Sequence, residues 1–243
     1  MPVGDLVALK SDLTIAVCIP ARDEAATIGL IVAACSRLVD SGLLDQVVVV
    51  DDHSSDVTAE AARFGGATVM VNPDGPGKGE ALSFAVCNTT AEVLVFLDAD
   101  VVNFSEQFVT GLVAPLLVDA DLKLVKASYR RPLDDRPDEG GRVTELLARP
   151  LLERFHPDLA GMAQPLSGEC AVRRAALDDV LLADGYGVEI GLLIDIYRRF
   201  GVHVIAEVDL GERIHRNRPL HQLQPHARDV LDAVLGRALP SLY

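Results

Sequence analysis

Between residues 14 and 97 the chain repeats one pattern: a short apolar, β-branched run, then a stretch with helical spacing. Thr14–Pro20, an apolar run bounded by polar residues, reads as a buried strand, and Val47–Val50, Ala67–Val71 and Val93–Leu97 read as the second, third and fourth strands. Between them, Glu24 to Leu38 sets Ile28, Ile31, Val32 and Cys35 on one side. Ser55 to Phe64 reads as a short helix opened by the capping residues Ser54, Ser55 and Asp56, and Glu80 to Cys87 reads as another helix. Strand and helix alternate four times. The pattern therefore predicts an α/β fold, a mostly parallel central sheet with helices on both faces.

The second half is less regular. Leu122–Ser128 and Cys170–Val172 read as strands and Val202–Val208 as the last one. Val143 to Arg154 reads as a helix interrupted near Pro150, Gly187 to Phe200 as a strong helix, and Asp229 to Ala238 as a terminal one. Pro132–Gly141 is polar and rich in Pro and Gly, which predicts a loop. No repeat or low-complexity linker divides the chain. Residues 1–243 are read as one unit, with about 13–100 binding a nucleotide and about 101–243 an acceptor.

Charge and composition narrow the partners. The formal net charge of −14 sets the surface against nucleic acid and anionic membranes. No apolar run reaches the roughly 18–20 residues of a membrane span. Met1 to Ser11 lacks the pattern of a secretory signal, so a cytoplasmic location is expected. Cys18, Cys35, Cys87 and Cys170 form no C-x-x-C pair and are read as reduced core residues. Bases gather in two places, Lys126, Arg130, Arg131 and Arg142 in one and Arg213, Arg216 and Arg218 in the other, as phosphorylated substrates would require.

The chemistry-bearing residues follow strand ends, where such sheets bind ligands. These are Pro20-Ala21-Arg22-Asp23-Glu24, Asp51-Asp52 and Asp98-Ala99-Asp100. In an extended segment Asp98 and Asp100 project to one face, with small Ala99 between them. Two such carboxylates suit a hard divalent cation that also holds a diphosphate. Asp51-Asp52 reads both as a helix-capping turn and as a base or ribose contact. Gly75-Pro76-Gly77-Lys78-Gly79-Glu80 is neither a Walker A loop nor a dinucleotide fingerprint. It is a surface turn or an anion site built from backbone amides and Lys78. Arg142 and Thr144 follow a Gly-Gly turn at a helix start, a place suited to phosphate and carboxylate. Glu189 also opens a helix, as a carboxylate at the positive end or as a partner for a sugar.

These motifs, in this order, resemble the GT-A fold glycosyltransferases. Lys126-Ala127-Ser128-Tyr129-Arg130-Arg131, Gly140-Gly141-Arg142-Val143-Thr144-Glu145, Gln164 to Glu169, Gly185 to Gly191 and His215-Arg216-Asn217-Arg218-Pro219-Leu220 resemble, more narrowly, the glucosyl-3-phosphoglycerate synthase family. The resemblance spans roughly residues 13 to 235. It implies a metal-dependent, retaining transfer of glucose from UDP-glucose to 3-phosphoglycerate, with Mg2+ or Mn2+ as cofactor. It implies that Pro20, Ala21, Arg22, Glu24 and Asp52 line the uridine pocket, and that Lys78, Asp98 and Ala99 meet the nucleotide as well. Tyr186 and Glu189 would lie beside the glucose, with Glu189, Asp98 and Lys78 the catalytic set. Gly141, Arg142, Val143, Thr144 and Asn217 would hold the acceptor, and Asp100 and His215 the metal. The chain departs from the family pattern at Asp52, usually a small hydroxyl residue, and at His53, usually glycine. A homodimer is an assembly open to such a chain.

Three rivals stand beside this reading. A mannosyl-3-phosphoglycerate synthase would use GDP-mannose. A polyprenyl-phosphate glycosyltransferase would need an amphipathic or spanning element, and none is evident. A non-catalytic nucleotide-sugar-binding module would be expected to lose Asp98, Asp100 or Glu189, and all three are present.

Overall fold

Ile15, Val17 and Ile19 of the first strand pack into one hydrophobic cluster, and Ala16 and Cys18 into another on the opposite face. That alternation is the period of an extended chain, and burial of both faces makes this strand the centre of the molecule. A computed structural model describes residues 1–73, 75–131, 141–214 and 220–239, with Leu220 described by its backbone alone.

In chain order the elements are α1 (Val3–Lys10), β1 (Ile15–Ala21), α2 (Ile28–Asp40), β2 (Gln46–Asp51), α3 (Thr58–Phe64), β3 (Thr68–Val71), α4 (Lys78–Cys87) and β4 (Val93–Phe96). There follow α5 (Gln107–Val118), β5 (Leu124–Arg130), α6 (Arg149–Phe155), β6 (Cys170–Arg173), α7 (Val188–Phe200), β7 (Ile205–Glu212) and α8 (Leu220–Ala238). One seven-stranded sheet runs in the order β3-β2-β1-β4-β6-β5-β7. Strands β1 to β4 pair in parallel, β5 and β7 also pair in parallel, and β6 runs antiparallel between β4 and β5. The expected α/β fold with a mostly parallel sheet is what forms. Helices α1, α2, α3 and α5 cover one face, and α4, α6, α7 and α8 the other.

The first four strands and the helices between them lie close to their expected places. Two helices were not anticipated. In α1, Leu6 is buried against the first core, and α5 buries Phe108, Val109, Leu112, Val113 and Leu116 at helical spacing. The last strand begins three residues later than expected and runs four residues further, after a single 3-10 turn at Val202–Val204. The interruption expected near Pro150 lies just before it, as a π-helical turn over Thr144–Ala148. Ser54 and Ser55 do not cap α3. They bind Asp23 instead, Ser54 through its hydroxyl to the Asp23 amide (3.0 Å) and Ser55 through its amide to the Asp23 carboxylate (2.7 Å). Cys18, Cys35 and Cys170 are buried, and burial pushes the first two thiols up to about 12 and the third to about 11. Cys87, at the end of α4, is exposed, which corrects its reading as a core residue.

At the end of β2, His53 takes a left-handed backbone (φ 62). A side chain there costs about 1–2 kcal/mol, offset in part by the extra freedom glycine has in the unfolded chain. Replacing His53→Gly should therefore stabilise the fold by about 0.5–1 kcal/mol. The check is a urea titration whose midpoint rises while its slope stays constant.

Candidate active site

The strand order reverses between β1 and β4, and a cleft of about 910 Å3 opens beyond the carboxyl ends of these strands. Each wall grows from a strand end. From the last residues of β1, Pro20 and Ala21, the chain runs along the rim to Glu24, whose amide donates to Thr58 Oγ1 (2.8 Å). After β2, both Asp52 oxygens accept the Gly77 amide (3.1 and 3.0 Å), which aims the start of α4 into the cleft. That amide is thus taken by the Asp52 carboxylate. After β4 comes a turn rather than an extended segment. Thr27 Oγ1 donates to the Ala99 carbonyl at 2.6 Å and fixes it.

Two cations then gather the carboxylates. Lys78 Nζ lies 2.5 Å from Asp98 Oδ1 and 2.5 Å from Glu189 Oε1. Arg213 Nη2 lies 2.7 Å from Asp98 Oδ2 and 2.8 Å from Asp100 Oδ1. Arg213 arrives because the end of β7 is stitched to the turn after β4. The Val102 amide donates to the Ile214 carbonyl (2.8 Å), and Asn103 bonds both Glu212 and Ile214. Behind Arg213, Glu169 Oε1 accepts from its Nε (2.8 Å), and Tyr129 donates to Glu169 Oε2 (2.6 Å). Gly168 lets its backbone lie against Asp98, since a Cβ there would overlap that carboxyl.

The electrostatics follow from this crowding. Burial works against the charge on Asp98, but Lys78 and Arg213 outweigh it and hold its carboxyl well below the usual range. Burial likewise opposes the charges of Lys78 and Arg213, and the surrounding carboxylates raise both well above their ordinary values. Lys126 departs from the expected substrate-facing role. It is buried, donates to the Ser167 carbonyl (2.9 Å), and burial lowers its pKa. Of the other expected bases in that stretch, Arg131 and Arg142 line the cleft and Arg130 is exposed.

The remaining expected positions among the described residues also border the cleft. Arg22, Ala99, Gly141, Val143 and Thr144 line it, the last buried at the start of the π-helical turn. Tyr186 sits in a 3-10 turn at Gly185–Gly187; its amide donates to Asp229 (3.0 Å), and its ring stacks on His226 with centroids 3.5 Å apart. Glu189 occupies the first turn of α7, as the helix-end reading has it, and lines the cleft. His215, Arg216, Asn217 and Arg218 lie outside the described residues, as do Asp74 and 132–140.

Among the described residues, no group of three or more His, Cys, Asp or Glu side chains assembles to hold a metal. Asp98 and Asp100 nevertheless turn one oxygen each toward a single nitrogen of Arg213. Two hard oxygens converging on one positive point fit a magnesium-like ion, which takes one or two carboxylates and completes its shell with phosphate and water.

The profile of the family described as glycosyl transferase family 2 matches residues 16–181. The chain belongs to this family. It is also 45% identical over 249 residues to glucosyl-3-phosphoglycerate synthase of Mycobacterium tuberculosis strain H37Rv, a match covering 97% of this chain and 76% of that protein. The synthase of Petrotoga mobilis is 40% identical over 250 residues, covering 97% of this chain and 77% of that protein. A crystal structure of the M. tuberculosis enzyme with Mn2+, UDP-glucose and phosphoglyceric acid matches with a TM-score of 0.91 and 44% identity, over 98% of this chain and 84% of that one. Another, holding Mn2+, UDP and glucosyl-3-phosphoglycerate, matches with the same score and identity. The fold is therefore the GT-A type, and the family match ends before α7, which supplies Glu189, and before Arg213, the residue that follows β7.

Sequence reasoning grouped Arg213 with the bases expected to meet phosphorylated substrates and assigned no role to Glu169, Tyr129 or His226. The available signal was position: Arg213 directly follows a strand end, and Glu169 directly precedes one.

Two outcomes follow from this geometry. Gly168→Ala should displace Asp98 and cut turnover at least about tenfold, as misplaced catalytic groups do, while the thermal midpoint moves by only a few degrees. Lys78→Met leaves two carboxylates without their shared cation. It should cost about 2–3 kcal/mol at neutral pH, less than the loss from a fully buried pair because this one is partly solvated. The depressed Asp98 value means its share of stability is present above the ordinary aspartate range and is lost as pH falls through the depressed value. The gap between wild type and Lys78→Met in urea titrations should accordingly narrow on acidification.

Proposed function

We infer that this chain is a metal-dependent, retaining glucosyltransferase that moves glucose from UDP-glucose to 3-phosphoglycerate. The observation that carries the reading is the convergence of Asp98 and Asp100 on one nitrogen of Arg213, inside a cleft bordered by both the donor-side and the acceptor-side residues. The relatives' names and ligands support the choice of substrates. No helix of the described residues is long and apolar enough to cross a membrane. A cytoplasmic setting and a homodimer are part of the proposal.

Pro20, Ala21, Arg22, Glu24 and Asp52 are assigned to the uridine end, and Lys78, Asp98 and Ala99 to the diphosphate. Asp100 would hold Mg2+ or Mn2+ with His215, and the bound cation supplies neutralisation of the departing diphosphate. Lys78 holds its ammonium between Asp98 and Glu189, where it can turn a donor toward charge developing on the leaving phosphate. Glu189, beside Tyr186, faces the positive charge that grows on the sugar as its bond to UDP breaks. Arg142 and Thr144, with Gly141, Val143 and Asn217, fix the acid and phosphate of the acceptor, which removes part of the entropic barrier. The sheet runs through both halves, which supports reading donor and acceptor residues as parts of one unit.

A matrix of sugar donors and acceptors, run with and without EDTA, tests the reading. UDP-glucose with 3-phosphoglycerate should release UDP only when the cation is present. Turnover of GDP-mannose in preference would favour the mannosyl alternative. Asp100→Ala should lower metal-dependent turnover by about 10²–10³, the loss typical of removing one preorganised electrostatic group, with its far-ultraviolet circular dichroism unchanged. Survival of activity in that variant would remove the site assignment.

A further inference from the structure

Neither the donor nor the acceptor assignments use Glu169, yet it is fully buried (0% exposed) one residue ahead of β6. A carboxylate is kept in such a place only when its oxygens are satisfied. Both are. Oε1 accepts from Arg213 Nε at 2.8 Å, and Oε2 accepts from the Tyr129 hydroxyl at 2.6 Å. That hydroxyl in turn accepts from Arg131 Nη2 at 2.8 Å, and the Tyr129 ring centroid lies 5.6 Å from Arg213 Cζ and 4.9 Å from Arg131 Cζ. The Glu169 backbone is fixed too, its carbonyl accepting the Ala127 amide at 3.0 Å.

The guanidinium is planar and rigid, so holding one edge sets the position of the other. Glu169 holds the Nε edge of Arg213. The far nitrogen, Nη2, is then placed between Asp98 Oδ2 and Asp100 Oδ1. We propose that Glu169 is a positioning residue which, by clamping Arg213 from behind with Tyr129 beneath it, sets the spacing of the Asp98–Asp100 pair that receives the cation and diphosphate. This rests on the glycosyltransferase reading of the same cleft.

A double-mutant cycle on the full chain tests it, with Mn2+–UDP affinity measured by electron paramagnetic resonance and by calorimetry. Glu169→Gln keeps the shape and removes the charge. Arg213→Lys keeps the charge and removes the planar fork. Each should weaken Mn2+–UDP binding at least fivefold, and the double variant should fall within twofold of Arg213→Lys alone, because Glu169 acts through Arg213. Glu169→Gln should also lower kcat while leaving the KM for 3-phosphoglycerate within twofold. Additive losses, or wild-type Mn2+–UDP affinity in Glu169→Gln, would overturn the assignment. If Glu169→Gln does not fold, Tyr129→Phe, which removes only the hydroxyl on Oε2, takes its place in the cycle with the same expectation at smaller size. A wild-type protein that binds Mn2+–UDP but transfers no glucose to 3-phosphoglycerate leaves this inference standing and removes the substrate reading. Absence of Mn2+–UDP binding by the wild type overturns both.

Discussion

Asp98 is shared between two cations that come from opposite parts of the chain, and the site exists because of that sharing. One oxygen is held by Lys78, at the start of a helix in the first half, and the other by Arg213, just past the last strand. Either cation alone would leave buried negative charge uncompensated, a state that costs far more than the pair gains. The attraction therefore demands that the Gly77–Lys78 turn, the turn after β4 and the end of β7 meet at one point. Asp52 on the Gly77 amide, Thr27 on the Ala99 carbonyl and Asn103 on the last strand are the bonds that bring them there.

The antiparallel strand β6 is what makes this meeting possible within a parallel sheet. Inserted between β4 and β5, it delivers Ser167, Gly168 and Glu169 to the carboxyl end of β4. Ser167 takes the buried Lys126, Gly168 yields space to Asp98, and Glu169 backs Arg213. Three adjacent residues thus support three different charges. Ion pairs meet the cost of burial at Asp98 and Glu169, a backbone carbonyl serves Lys126, and the strands behind them run through both hydrophobic clusters.

Much of this was legible in the sequence because local pattern and tertiary role coincide in the first half. Runs such as Val47–Val50 are too apolar for anything but a two-sided strand, and acidic residues at their ends mark the binding edge. The DxD pair was found for a partly wrong reason. Asp98 and Asp100 converge because Arg213 draws both, not because an extended backbone alternates. Helix α5 escaped notice although Phe108, Val109, Leu112, Val113 and Leu116 carry a helical period, since the Pro115 within it and the turn residues before it mask the pattern. Arg213 and Glu169 were illegible as partners because they are 44 residues apart, and no spacing rule reaches across strands that neighbour only in the folded sheet. Cys87 was misjudged because composition alone cannot tell the last turn of a helix from its middle.

Gly79 has a bearing beyond its own turn. Its α-carbon lies so close to the Ala183 carbonyl that a side chain would have no room, while Glu80 beside it accepts the Gly185 amide at 3.0 Å. The helix that carries Lys78 is thereby keyed, like teeth in a ratchet, to the turn that carries Tyr186. Modular exchange within the family meets a barrier here. A chimaera that takes its first four strands from one enzyme and its last helices from another must match this seam atom for atom. Diversification of the sugar-facing turn is accordingly tethered to the sequence of a helix start more than 100 residues upstream.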